Sequence, residues 1–379
     1  MSGEVEIRRA LSRRERRGFL LFPWTIYRGD PLWVPPLLPE RMEAVDPRRG
    51  VFFERGEAEL YTARVRGKIV GTICVAEDRH TNEARGLRDC MFGFFECVND
   101  PEVARELFGF AASWAARRRL EELYGPFNLD YEDSYGVLVN GRDRPPAILC
   151  AHTPPYYLGL FERFGFRAAR GDNIALEIST DERRLERVAR LAVRARGQGV
   201  YTVRAADFRR WDEEIDTVHR LMLVALDHLP DWIPWRRDAL ARMLEPYRRV
   251  ADPELILFAE REGKTVGFFP GAPNMNEILI RANGLRYPWD YLRLLRARRI
   301  RPRCLAVKSI LLHPDHWGSP VIVLFIDEMA RRARERGYTW ADLSLTSDDN
   351  PQTPSIAASV GARVYKRYRV FRRRVDIPF

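Results

Sequence analysis

Two hairpin signals, one in each half of this chain, constrain its fold more than any other feature. Residues 57–65 and 68–77 alternate around Arg66-Gly67, and residues 255–260 and 265–269 flank Glu262-Gly263-Lys264. Short runs joined by a glycine turn form antiparallel strand pairs. The elements around the two hairpins also arrive in the same order. In the first half, a strand at 5–9 leads to a helix opened by Ser12 and running to about residue 27. After the hairpin come a strand at 90–98, a helix from Asp100-Pro101 to about residue 119, and strands at 123–127 and 147–151. A helix at 155–164 and a long closing strand at 166–178 follow, then a helix at 181–194 and a boundary at Gly197-Gln198-Gly199. The second half reads as a strand at 201–204, helices at 208–226 and up to 249, and the hairpin. Helices at 274–284 and 288–298 come next, then a strand at 305–312, a helix at 321–336, a strand at 341–345, a helix at 354–360 and a strand at 362–373. This repeated order predicts an α/β (α+β) protein of two domains, 1–196 and 200–379. Each is a mixed, largely antiparallel sheet flanked by helices.

Composition narrows the class. With 46% hydrophobic and 31% charged residues, the chain has the make-up of an ordinary globular core and surface. No apolar run approaches the ~20 residues of a membrane span, and residues 1–19 are charged rather than signal-like. No membrane partner and a cytoplasmic location are therefore expected. Cysteines at 74, 90, 97, 150 and 304 show no CxxC spacing and are read as buried, reduced thiols. The net charge is +10, but lysine occurs only at 68, 264, 308 and 366, so 59 of the 63 basic residues are arginine. Such a bias follows from a GC-rich genome as readily as from a polyanion-binding surface.

Residues 304–325, CLAVKSILLHPDHWGSPVIVLF, form a strand, a Pro/Gly-rich turn and the start of an apolar-periodic helix. This device can hold an anion, because the first N–H groups of a helix lack intrahelical partners and its dipole favours negative charge. The order of elements resembles the GNAT superfamily of acyl-CoA N-acyltransferases in a tandem arrangement over nearly the whole chain. In that family an Arg/Gln-x-x-Gly-x-Gly/Ala turn receives the CoA pyrophosphate, and here HPDHWGSPV stands in its place. ADLSLTSDDN, ending in Asn350, is similar to the family's fifth strand; SIAASVGARVYKRYRVF and YYLGLFERFGFR resemble its closing segment twice. The resemblance implies two GNAT-like domains, with acetyl-CoA or another acyl-CoA as co-substrate. It implies a cofactor-binding set of Ile310, Leu311, Leu312, Trp317, Gly318, Ser319, Val321 and Asn350, and no metal. Trp317 replaces the Arg/Gln, and Pro320, which has no N–H, replaces a glycine. The turn is thus an altered but working CoA site, a lost one, or a site for another acyl carrier. The first-half equivalent, CVNDPEV, puts Asp100 at the mouth, so no CoA is expected there.

In the family a base takes the amine's proton and a tyrosine protonates the leaving thiolate. That tyrosine is Ala357 in the second half and Phe161 in the first. Tyr365 is the nearby substitute acid, on the last strand, with a packed tyrosine as the plainer reading. Asp227, His228 and Glu277 are the base candidates, with His313 and His316 beside them. A helix-end histidine meeting the dipole and a solvated glutamate are the plain alternatives. Lys308, inside an apolar strand, either turns to solvent or points at an anionic ligand. Trp33, Trp232 and Trp235 shape an apolar acceptor pocket or a domain interface. The sequence thus predicts an N-acyltransferase acting on a small-molecule or peptide amine. Its rivals are a non-catalytic scaffold that lost the chemistry and a Fem-type transferase using aminoacyl-tRNA.

Overall fold

The computed structural model describes residues 3–131, 133–228, 234–249, 251–308, 310–350 and 353–378, apart from the side chains of residues 246 and 247. Along it run β1 (Glu6–Arg9), β2 (Gly56–Val65), β3 (Lys68–Asp78), β4 (Asp89–Cys97), β5 (Glu122–Gly125), β6 (Val137–Asn140), β7 (Arg167–Ala168) and β8 (Asn173–Ser179). Then come β9 (Thr202–Ala205), β10 (Ile256–Arg261), β11 (Lys264–Pro273), β12 (Cys304–Val307), β13 (Leu311–Leu312), β14 (Trp340–Ser347), β15 (Arg363–Arg369) and β16 (Phe371–Arg374). Both expected hairpins form, and their turns are alike. Arg66 and Gly67 have φ of 50° and 75°, and Glu262 and Gly263 have 51° and 73°. Two successive positive φ values match the right-handed twist of the strands they join.

The strands make two mixed, mostly antiparallel sheets flanked by helices. One sheet runs β1-β2-β3-β4-β5-β16-β7. The other runs β6-β15-β8-β14-β12-β11-β10-β9, with β13 added on β11. Three strands cross the expected division at residues 196–200. The run expected as one strand at 166–178 serves β7 in the first sheet and β8 in the second, where β8 lies between β14 and β15. The run at 362–373 likewise serves β15 in the second sheet and β16 in the first, where β16 lies between β5 and β7. Each sheet thereby receives an inner strand from the other half. β6, from the first half, extends the second sheet by pairing with β15. The reason is visible in what the side chains bury. Tyr368 packs with Leu138 and Ala175, whereas Phe371, three residues on, stacks against Phe161 at 4.8 Å in the first core.

Helix packing depends on glycines in the strand after each hairpin turn. The Pro101–Arg117 helix, capped by Asp100, buries Val103, Leu107, Ala111 and Trp114 at helical spacing. A Cβ at Gly71 of β3 would lie 2.7 Å from Leu107. The Val321–Glu335 helix buries Val321, Phe325, Met329 and Ala333, and a Cβ at Gly267 of β11 would lie 2.9 Å from Phe325. Two expected helices are shorter. Residues 12–27 form Arg13–Leu21 and Pro23–Ile26, divided at a proline that cannot donate into the preceding turn. In the 274–284 stretch only Asn276–Leu279 is α-helical, and Gly284 takes φ 65°. All five cysteines are free and buried. Among the described residues no helix is long and apolar enough to cross a membrane.

Candidate active site

β12 and β14 run parallel from the Cys304↔Trp340 pair to Val307↔Leu343 and then separate. Beyond Lys308 the chain turns toward β11 as β13, while β14 shifts register against β8 between Leu343 and Thr346. The fork so made opens at the C-terminal ends of two parallel strands, where α/β sheets hold ligands. Asp342 lies at its base, with no solvent exposure. Its carboxylate accepts from Lys308 Nζ at 2.9 Å, from Tyr365 Oη at 2.7 Å and from the Ser344 hydroxyl. Lys308 Nζ also donates to Ser344 Oγ, and Cys150 Sγ lies 3.3 Å from the same hydroxyl. Burial, the largest single effect, would lower the pKa of Lys308, but the charge and hydrogen bond of Asp342 together with Cys150 and Cys304 outweigh it and hold the ammonium above the usual lysine value. Burial and then Asp342 raise Tyr365 well above the ordinary phenol range, so it stays a neutral donor. Lys308 therefore turns inward, not to solvent, and its partner is a carboxylate of the protein.

A second group of polar side chains lies close along the chain. Residues 150 to 152 span at most about 7 Å between their Cα atoms, so His152 follows closely along the chain from Cys150, whose Sγ touches Ser344. Its Nε2 donates to Asp30 Oδ2 at 2.7 Å, and its side chain is 6% exposed. A carboxylate only accepts, so Nε2 carries the hydrogen and Nδ1 keeps its lone pair. Among the described residues that buried Nδ1 has no hydrogen-bond partner. Burial lowers the His152 pKa, against the opposing pull of Asp30, and leaves the ring a neutral base. Tyr27 Oη donates to the His152 carbonyl at 2.9 Å and stacks on Trp33 at 4.8 Å. Glu96, on β4, accepts from Tyr157 Oη at 2.6 Å, and its loss of hydration pushes its pKa up to about 8.

The first sheet has a fork of its own, since β4 and β5 are parallel only from Asp89↔Glu122 to Met91↔Tyr124. The protein fills it. Tyr157 Oη accepts from Cys97 N at 2.8 Å, Tyr156 Oη donates to Cys97 O, and Asn128 Oδ1 accepts from Phe94 N.

The residues singled out from the sequence fall into three places. Tyr365 belongs to the fork. Trp317, Gly318, Ser319 and Val321 form the turn into the Val321–Glu335 helix, with Gly318 at φ 75° in open space and Trp317 Nε1 donating to Leu312 O at 3.2 Å. Pro320 at the start of that helix offers no side-chain cap, and Val321 N donates to Ser319 Oγ at 3.5 Å. His228, exposed, sets its ring edge on Trp317 at 4.8 Å, so the structure brings this pair together, with exposed Asp227 beside it. Ile310 is exposed, whereas the Leu311 side chain is spent on the core with Ile215, Leu221 and Phe258. His313 Nδ1 accepts from Asp315 N, and His316 Nδ1 bonds Tyr201 Oη at 3.0 Å. Asn350 is placed to start the Thr353–Ser359 helix, its Nδ2 donating to Thr353 Oγ1 at 3.2 Å. Glu277 is elsewhere: its carboxylate accepts from Arg303 N and Cys304 N, fixing the start of β12 at the end opposite the fork. Ala357 and Phe161 are core residues. Trp33 and Trp235 belong to separate clusters, and Trp232 lies outside the described residues. Sequence reasoning missed Asp342, Ser344, Asp30 and His152. The signal was present for Asp342, an acid inside an apolar strand, as it was for Lys308.

No protein-family profile matches the chain. It is 28% identical over 369 residues to the bacterial ceramide synthase of Caulobacter vibrioides, covering 95% of this chain and 94% of that one. It is 27% identical over 376 residues to protein YghO of Escherichia coli K12, covering 97% and 95%. Among solved structures, a tandem GNAT protein from the clavulanic acid biosynthesis pathway superposes over 99% of both chains, with a TM-score of 0.58 at 14% identity. The chain has the tandem GNAT fold.

Proposed function

We propose that the protein is an N-acyltransferase that moves an acyl group from acyl-CoA to the amine of a long-chain amino alcohol. The observation that carries this reading is the fork between β12 and β14, with Lys308, Ser344 and Tyr365 gathered on Asp342 and the His152–Asp30 pair close along the chain. The acceptor class rests on the Caulobacter relative, since a ceramide is the N-acyl amide of such an amine.

The chemistry balances with these groups. His152 Nδ1 takes a proton from the acceptor amine, whose nitrogen bonds to the thioester carbonyl carbon. The carbonyl oxygen gains negative charge that the buried Lys308 ammonium is suited to stabilise in a water-poor site. The C–S bond then breaks, and the thiolate leaves with a proton supplied through the neutral Tyr365–Ser344 donors or water, giving an amide and free CoA. The pyrophosphate would meet the turn at Gly318–Val321, where Val321 N makes only a long bond to Ser319 Oγ. Arg261 lies near enough to depress the pKa of His316 there, after the larger effect of burial. The filled fork of the first sheet supports a single donor site.

The test is thiol release from acyl-CoA of short and long chain, with and without a long-chain 2-amino-1,3-diol, and mass spectrometry of the amide. Thiol release that depends on the amine is the expected result. Calorimetry showing no binding of any acyl-CoA would remove the reading.

A further inference from the structure

The Pro288–Ala297 helix is packed the wrong way round for a helix in water. Its residues Asp290, Leu294 and Ala297, at i, i+4 and i+7, face the protein, and Asp290 is fully buried. Asp290 is anchored there by Tyr287 N at 2.9 Å, Asn283 Nδ2 at 3.1 Å and Arg293 at 2.9 Å. The opposite stripe, Pro288, Tyr291, Leu292 and Leu295 at i, i+3, i+4 and i+7, faces out. Tyr291, Leu292 and Leu295 are 53%, 58% and 60% exposed, and neighbouring Trp289 is 54% exposed. A surface helix ordinarily turns its apolar stripe to the core and its carboxylates to water. Here the acid is inside and the aromatic and leucine side chains are outside.

The charge around this stripe says what it meets. Residues 281–303 hold eight arginines, and their one acid is the buried Asp290. Beside the helix a depression of about 330 Å³ has an apolar floor of Met275, Ile278 and Ile300 rimmed by Arg298, Arg301 and Arg336. Exposed Trp, Tyr and Leu flanked by arginines, on a helix lying flat on the surface, match the interfacial layer of an anionic bilayer. A neutral or basic protein surface would leave so many like charges unmatched.

We propose that the Pro288–Ala297 helix docks the protein on the surface of an anionic membrane. Trp289, Leu292 and Leu295 enter the headgroup region, and the arginines of 296–303 meet lipid phosphates. This departs from the expectation of no membrane partner, which rested on the absence of a spanning segment. The helix lies on the bilayer and does not cross it. The exposed stripe and its arginines would dock in this way whether or not the fork transfers acyl groups, although a bilayer would be the natural source of a long-chain amine.

The experiment is co-sedimentation of the full chain with phosphatidylcholine vesicles, with and without phosphatidylglycerol, and no acyl-CoA present. Binding should require the anionic lipid and weaken with salt. The double variant Leu292→Asp/Leu295→Asp should lose about tenfold or more in partitioning, since each charge must be drawn into the interface. Both positions are exposed, so its thermal melting should match the parent. Trp289→Ser, a milder change, gives the same reading if the double variant misfolds. No binding to anionic vesicles, or equal binding by both variants, overturns the proposal. So does a dimer in solution that Leu292→Asp/Leu295→Asp dissociates, which would make a second copy the occupant.

Discussion

Lys308 and Asp342 form a buried ion pair whose loss has a direction that can be worked out. Lys308→Met leaves an uncompensated carboxylate in the core and should cost about 3–5 kcal/mol in denaturant unfolding. Lys308→Met/Asp342→Leu should recover part of that loss, because both charges go together. His152 gives a kinetic test. His152→Ala should lower kcat by about 10²–10⁴-fold. With the wild type, the acid limb of the pH–rate profile should lie below the ordinary histidine pKa, because burial depresses it. Asp30 pulls that pKa upward, so Asp30→Asn should move the limb to still lower pH; an unmoved limb would assign the proton to another group. Glu96 makes a stability prediction. Its folded pKa of about 8 lies above its unfolded value of 4.5, so the native state binds the extra proton between them. That contribution is complete below pH 4.5 and is lost as pH rises through 8. Compared with Glu96→Gln, the wild-type Tm should therefore fall more between pH 5 and pH 8. None of these environments was legible in sequence. A lone Lys in an apolar strand marks an oddity, but whether it meets solvent or a carboxylate depends on a strand 34 residues away.

At the scale of elements, local rules carried much further. Both hairpins, the helix after Asp100-Pro101 and the helix after Pro320 stand where alternation, capping and proline placement put them. The turn before the last of these keeps Gly318 at φ 75°, so Gly318→Ala should destabilise the protein by roughly 1 kcal/mol, measured by thermal melting. The Val321–Glu335 helix buries Val321, Phe325, Met329 and Ala333, the stripe its spacing predicts. The long closing strands were read only in outline. Residues 166–178 and 362–373 are extended, but each divides between two sheets, and alternation looks the same whichever sheet a strand joins. The Pro288–Ala297 helix shows the converse limit: its periodicity is evident, yet both of its stripes can be argued inward until the burial of Asp290 decides.

For the whole molecule, the exchange of strands ties the halves together. The 200–379 fragment lacks β8, which separates β14 from β15, and the 1–199 fragment lacks β16, which separates β5 from β7. Neither should give a cooperative thermal transition alone, and mixing them should restore one. Phe371→Ala tests the same coupling in the intact chain. It lies in the second half but is buried in the first core, and its loss should cost about 3–5 kcal/mol in urea unfolding. The sequence by itself determined the α/β class, the repeated order of elements, the resemblance to tandem GNAT proteins and the position of the turn at Trp317–Val321. These follow from periodicity, turn residues and caps, which act over a few residues. Only the tertiary structure decided that the last strands are exchanged, that Lys308 pairs with Asp342 beside Tyr365, and that His152 is held by Asp30. Those facts join residues distant along the chain, where each choice depends on what the other side chains bury, and no local pattern records that.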